Sequence, residues 1–181
     1  MGDLRQADAW RLAGFFREPK DRSGSHLPAL GAAVLGTEGP IIELGMGRHS
    51  TPALHQVAER QRRLVFSFEN KIDYMRPWRD MRSKYHRIAL VQDWESCPYD
   101  LMFWGVAFVD QSPGAARLPA LLELAQRAEI VVAHDSEPEE ADCYKYDAAY
   151  PSYTSVRQCH GSCWTAVLSN YHDLSTWRLP E

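Results

Sequence analysis

Pro40-Ile41-Ile42-Glu43-Leu44-Gly45-Met46-Gly47-Arg48-His49-Ser50-Thr51-Pro52 is the stretch on which the fold turns. Ile41 to Leu44 reads as a short apolar strand that runs into a glycine-rich turn. Leu54, Val57 and Ala58 then recur at i, i+3 and i+4, the spacing of one helix face. Thr51 ahead of Pro52 reads as an N-cap followed by proline at the first helical position. Strand, glycine turn and helix in this order make the first half of a βαβ unit.

Outward from there the alternation continues. Leu64 to Phe68 is a second strand, and Lys71 to Arg82 a helical segment interrupted at Pro77. Arg87 to Trp94 holds a third strand, with the apolar run Ile88 to Val91, and Phe103 to Val109 is a fourth. Leu118, Leu121, Leu122 and Ala125 follow helical spacing, and Ile130 to Ala133 is a fifth strand. Near-continuous apolar strands alternating with helices imply a parallel sheet covered on both faces. The tail differs: Ser152 to Gln158 and Trp164 to Leu168 are rich in β-branched and aromatic residues and flank the turn signal Cys159 to Ser162. Strands joined so closely pair antiparallel. The expected fold is α/β: a Rossmann-like, doubly wound, mostly parallel sheet with an antiparallel C-terminal hairpin at one edge. Residues 1–39 form a lead-in, with a helix over Ala7 to Phe16, a polar loop over Pro19 to Ser25 and a short helix over Leu27 to Leu35. Residues 40–181 form the sheet domain, in a single domain overall.

Composition agrees. A chain of 181 residues fits one domain, and 45% hydrophobic with 24% charged residues is ordinary for a globular protein. A formal net charge of -4 argues against a dedicated nucleic-acid binder, whose footprint is basic. The longest apolar runs, Leu27 to Gly36 and Leu101 to Val109, fall far short of the ~20 residues of a membrane span. Met1 to Gln6 has no signal-peptide core. The expectation is a soluble cytoplasmic protein with no membrane or nucleic-acid partner, its oligomeric state open. Cys97, Cys143, Cys159 and Cys163 are then reduced thiols. Cys159-His160-Gly161-Ser162-Cys163 lacks the matching second pair of a structural zinc site.

In a doubly wound sheet, ligands sit beyond the carboxyl ends of the strands. Those ends carry Glu43 to His49, Glu69, Asp93-Trp94, Asp110-Gln111-Ser112 and His134-Asp135, polar or acidic at every one. Gly45 and Gly47 allow a tight turn and close approach of a ligand, and the helix behind them aims free N–H groups at it. Glu69 follows about 20 residues later, where an acidic residue accepts hydrogen bonds from ribose hydroxyls. These residues alone also fit a tight turn with a solvated carboxylate.

The arrangement resembles class I S-adenosylmethionine-dependent methyltransferases, whose first motif is E/D-x-G-x-G-x-G. Glu43, Gly45 and Gly47 match, and His49 stands in place of the last glycine. The resemblance runs from about Pro40 to Asn170 and takes in Glu69, Asp93, Phe108-Val109-Asp110 with a Pro-Gly loop, and the hairpin. Within that class it is similar to a group of small bacterial methyltransferase-like proteins. It implies S-adenosylmethionine as cofactor. Gly45 and Gly47 would bracket its methionyl part, Glu43 orient its amino group and Glu69 hold the ribose. Asp93 would face the adenine amino group, with Trp94 stacking or capping; a plain core role for Trp94 is the alternative. Asp110 would lie beside the methyl donor and the acceptor.

Methyl transfer is an in-line displacement that needs alignment and removal of the acceptor's proton. Asp110 and the His134-Asp135 pair are the candidates for that work; a buried structural imidazole is the other reading of His134. The same three residues can also hold Mg²⁺, as in metal-dependent O-methyltransferases, although those carry an Asp-Asn pair where Asp135-Ser136 stands here. The loop from Asp135 to Tyr153 mixes Glu137, Glu139, Glu140, Asp142 and Asp147 with Tyr144, Tyr146, Tyr150 and Tyr153; it suits a small amine-bearing acceptor beneath a lid, and a solvated, mobile acidic loop is the other reading. Charged residues such as Arg60, Arg62 and Arg63 read as a solvated helix end. The leading function is methyl transfer to an O or N atom of a small molecule. The alternatives are an S-adenosylmethionine-binding protein without transfer, which His49 favours, and a nicotinamide-dependent oxidoreductase.

Overall fold

The computed structural model describes residues 12–17, 19, 21–138 and 144–177. One seven-stranded sheet organises them. Its strands are β1 (Ile41–Leu44), β2 (Val65–Glu69), β3 (His86–Leu90), β4 (Trp104–Val109), β5 (Ala128–His134), β6 (Ser155–His160) and β7 (Trp164–Ser169), in the order β3-β2-β1-β4-β5-β7-β6. The first five are parallel, and β7 runs antiparallel to both β5 and β6. This is the doubly wound sheet with an antiparallel C-terminal hairpin that the sequence implies, with the second hairpin strand as the inner one. The chain order reverses between β1 and β4, and that crevice is where such sheets take ligands.

Strand period explains the uninterrupted apolar runs. Ile41, Val106, Phe108, Ile130, Val132 and Val167 pack on one side, with helices α1 (Leu27–Gly36) and α2 (Ser50–Gln61). Ile42, Leu44, Ala107, Val109, Val131 and Ala133 pack on the other, with α4 (Arg117–Leu124) and α5 (Tyr146–Ala149). Successive side chains point to opposite faces, and both faces are covered. The helix of the lead-in is thus part of the core.

Several local expectations change. The segment after β2 is only a four-residue helix, α3 (Ile72–Met75), followed by a 3-10 stretch Arg76–Met81 that carries Pro77 in its first turn, because proline has no N–H for an α-helical bond. The third strand stops at Leu90, so Asp93 and Trp94 lie beyond it in a turn. Helix α2 starts at Ser50, two residues earlier than a Thr51 cap allows, and the His49 side chain at its N-cap makes no capping bond. Arg63 is buried, not solvated: its guanidinium donates to Val34 O, Thr37 O, Thr37 Oγ1 and Gly39 O, tying the end of α1 to the sheet. Of the expected first helix, Leu12 and Ala13 are helical and Gly14–Phe16 is a 3-10 turn; residues 7–11 lie outside the described residues. Glu139, Glu140, Asp142 and Cys143 lie outside them too. Among the described residues no helix is long and apolar enough to cross a membrane.

Candidate active site

Two groups of polar residues form at the strand ends. The first surrounds the glycine turn. Gly45 has φ +87°, and a Cβ there would come within 2.6 Å of Asp110 O and 2.7 Å of Gln111 Cα. Glycine is therefore required here by the neighbouring β4 end, and not by a ligand. Gly47 is the opposite case: a Cβ would meet only Ser50 Oγ, at 3.4 Å.

Both acids near the turn are tied to it, Glu69 directly and Glu43 through Thr51. Glu69 Oε2 accepts from Met46 N at 3.0 Å, and Oε1 accepts from Asn70 N and Lys71 N at 2.9 Å. A carboxylate has about four acceptor positions, so this engagement leaves one. Glu43 is fully buried, and its Oε1 accepts from Thr51 Oγ1 at 3.0 Å. Thr51 Oγ1 in turn accepts from Gly47 N at 3.0 Å. Thr51 is thus a relay between Glu43 and the turn, and not a cap. Glu43 Oε2 is buried without a partner, and burial pushes the carboxyl up to about 7. His49 is held as well, with its Nε2 at 3.1 Å from Asp21 Oδ1, which also accepts from Arg48 Nη2. The histidine in place of the last motif glycine ties the turn to the lead-in.

The second group sits at the ends of β4 and β5. Val109 pairs with Ala133 in register, so Asp110 and His134 follow side by side. By strand period they share the α1 face with Phe108 and Val132. Asp110 Oδ1 lies 3.5 Å from His134 Nδ1, and Asp135 Oδ1 lies 3.3 Å from the same nitrogen. The three expected catalytic residues are therefore brought together. Burial raises the Asp110 carboxyl, but the His134 hydrogen bond and the Arg117 charge outweigh it and leave it lowered. For His134 burial acts downward, and the hydrogen bond and charge of Asp110, with the charge of Asp135, reverse it to a raised value.

Two further members carry no expectation from the sequence. Arg117 opens α4, and its buried guanidinium donates to Asp110 Oδ1 (2.8 Å), Asp135 Oδ2 (3.2 Å), Gln111 O, His134 O and Tyr146 OH. A lone cation at a helix N-terminus opposes the helix dipole, and that is the signal a sequence offers. His26 precedes α1 and is only 2% exposed. Its ring stands edge-on to His134, with centroids 4.6 Å apart, and 4.6 Å from Phe108. Neither ring nitrogen has a partner, and burial pushes the imidazole down to about 3. A buried polar group left unsatisfied costs about 1–3 kcal/mol.

Asp93 and Trp94 join neither group. Asp93 is exposed and caps its own turn, accepting from Ser96 N at 2.7 Å. Trp94 is buried in the core, and its Nε1 donates to Ser112 O, linking the loops after β3 and β4. It also walls a cavity of about 360 Å³ shared with Cys97, Tyr99 and Ala116. The loop after β5 is largely packed: Tyr146 OH donates to His134 O and Tyr153 OH to Leu121 O, both from buried positions. Through their hydroxyls Tyr146 and Tyr153 act as struts, while the Tyr146 and Tyr150 side chains also line a second cavity, of about 280 Å³, with Glu137, Asp147 and Trp164.

No protein-family model matches the chain, and no curated protein matches it. Solved structures do. An S-adenosylhomocysteine-bound methyltransferase of Podospora anserina aligns over 98% of this chain and 89% of its own, with TM-score 0.59 and 10% identity. The N-methyltransferase NodS of Bradyrhizobium japonicum, in complex with S-adenosylhomocysteine, aligns over 94% and 100%, with TM-score 0.58 and 12% identity. An O-methyltransferase of Bacillus cereus, also in complex with S-adenosylhomocysteine, aligns over 93% and 92%, with TM-score 0.58 and 11% identity. This chain has the class I methyltransferase fold. In that fold the glycine turn follows β1, and the Asp110–His134 pair stands at the ends of its neighbour β4 and of β5 beyond it, on one side of the crevice. The Mg²⁺ expectation is not supported. Mg²⁺ wants an oxygen cage, whereas both carboxylates here are drawn onto Arg117 and face imidazoles.

Proposed function

We propose that this protein transfers a methyl group from S-adenosylmethionine to an oxygen or nitrogen atom of a small molecule. The observation that carries the proposal is the glycine turn: Glu69 accepts from its backbone directly, Glu43 reaches it through the Thr51 hydroxyl, and Gly45 lies against the Asp110 backbone. S-adenosylmethionine supplies an electrophilic methyl group on a sulfonium sulfur. The chain's own residues do the rest. Gly47 leaves room for the methionyl part, and Gly45 sets the turn against Asp110. The buried Glu43, with one oxygen unpartnered, fits the amino end, directly or through water. Glu69 keeps one acceptor position for a ribose hydroxyl. Asp93 and Trp94 stand in the loop after β3, where the resemblance puts the adenine end, although Asp93 caps its own turn and Trp94 is packed in the core.

At the acceptor end, His134 and Asp110 hold or take the proton, with Asp135 and Arg117 fixing their geometry. The cavity between Glu137 and Trp164 adjoins the β5 end through Tyr146. Its carboxylates and aromatic rings suit an amine-bearing acceptor, and Glu137 Oε2 is buried without a partner. The lead-in serves as a cap, latched to the glycine turn by Asp21 on His49.

Binding without transfer is the second reading, favoured by His49 in the turn. Affinity for S-adenosylmethionine and turnover with a panel of acceptors, measured separately, test the two. Transfer that drops with Asp110→Asn per bound complex supports the enzyme. Tight binding with no transfer to any acceptor supports the second reading.

A further inference from the structure

We propose that His26, Asp110 and His134 form a binding site for a divalent transition-metal ion of the Zn²⁺ or Co²⁺ type. One ligand atom from each residue lies within 4.8 Å of the others. Metal–ligand bonds near 2.0–2.1 Å put tetrahedral ligands roughly 3.3 Å apart, a spacing that side-chain rotation reaches from here. His26 is the second, independent observation. Its imidazole is buried at 2% exposure with both ring nitrogens unpartnered, although it stands against the ring of His134. Buried polar groups without partners are rare and call for a cause; a neutral imidazole facing a carboxylate and a second imidazole finds one in a metal.

The surroundings support the ligands as metal sites usually do. Ser25 Oγ lies 3.1 Å from His134 Nε2, which leaves Nδ1 on the Asp110 side. Arg117 holds Asp110 through Oδ1, so a bond from Oδ2 does not break that ion pair. Two nitrogens and one oxygen select Zn²⁺, Co²⁺ or Ni²⁺ over Mg²⁺ and Ca²⁺, and three protein ligands leave a coordination position open. A second trio, His134, Asp135 and Cys163, shares His134. It is the poorer site, because Asp135 already spends Oδ2 on Arg117 and Oδ1 on His134. The metal site stands on the cluster's geometry and does not rest on the methyl-transfer reading. If both hold, His134 serves as a ligand while metal is bound, and not as a base.

The test uses the full chain, purified without a metal-affinity tag and stripped with chelator. Co²⁺ is titrated by visible absorption and Zn²⁺ by calorimetry. The expected result is one equivalent bound, unchanged by excess Mg²⁺. His26→Ala and Asp110→Asn, each checked by circular dichroism for a retained fold, weaken binding by at least about tenfold, and Cys163→Ser leaves it unchanged. No stoichiometric binding, binding that survives both ligand variants, loss with Cys163→Ser, or displacement by Mg²⁺ each overturns the site. S-adenosylhomocysteine affinity is measured on the same samples; its absence counts against the methyl-transfer reading and leaves the metal result standing.

Discussion

The glycine turn and the β4–β5 rim both gather acids, but they use them differently. At the turn, Glu69 is spent on the amides of Met46, Asn70 and Lys71, and Glu43 on the Thr51 hydroxyl that relays to Gly47 N. At the rim, Asp110 and Asp135 are spent on one guanidinium that arrives from the next helix. The turn is held largely from within one βαβ unit and shapes a place for a ligand. The rim is a charge-balanced knot whose parts come from His26, β4, α4 and β5. A variant at the rim should therefore unbalance the fold, while most variants at the turn should register in binding.

The sharpest contrast comes from Arg117→Met. It leaves two largely buried carboxylates without their cation, and breaking such a pair costs about 3–5 kcal/mol. Urea unfolding should show a loss of that size; a loss under about 1 kcal/mol would mean that the knot is not a knot.

Glu43 should make the turn pH-sensitive. Its carboxyl has an ordinary value of 4.5 and sits near 7 in the fold, so its contribution to stability is whole below 4.5 and is lost as pH rises to about 7. Glu43→Gln removes that dependence. Relative to the parent, the variant should gain up to roughly 3 kcal/mol between pH 4 and pH 8. Parallel pH profiles would contradict a buried, raised carboxyl.

The two glycines should separate next. Gly45→Ala forces a side chain to φ +87° against the Asp110 backbone and should cost about 1–3 kcal/mol of stability. Gly47→Ala should stay within about 0.5 kcal/mol and weaken cofactor binding instead. Equal effects in both assays would erase the distinction between a packing glycine and a ligand glycine.

These differences also mark what a sequence can reveal. Strand, glycine turn, helix and Glu69 lie within one βαβ unit, where spacing constrains geometry, so the turn is legible. So is the sheet, because five apolar runs and a close hairpin allow few topologies. Asp110, His134 and Asp135 are legible as strand ends. Their assembly with Arg117 and His26 is not, because those contacts depend on register and on which face each strand end presents. Parity offers a partial route: Phe108 and Asp110, and Val132 and His134, share the face that α1 covers, and His26 stands at the start of α1. Thr51 reads as a cap although it is a relay, because the two look alike in sequence until the helix start is known.

Whether the glycine turn holds S-adenosylmethionine is decided by calorimetry with S-adenosylhomocysteine and NAD. Saturable binding of S-adenosylhomocysteine is expected, with none of comparable strength for NAD. Glu69→Ala should weaken that binding by about 1.5–3 kcal/mol, the scale of a lost charged hydrogen bond. An affinity unchanged by Glu69→Ala would remove Glu69 from the site, and NAD binding with no response to S-adenosylhomocysteine would contradict a methyl-donor site at this turn.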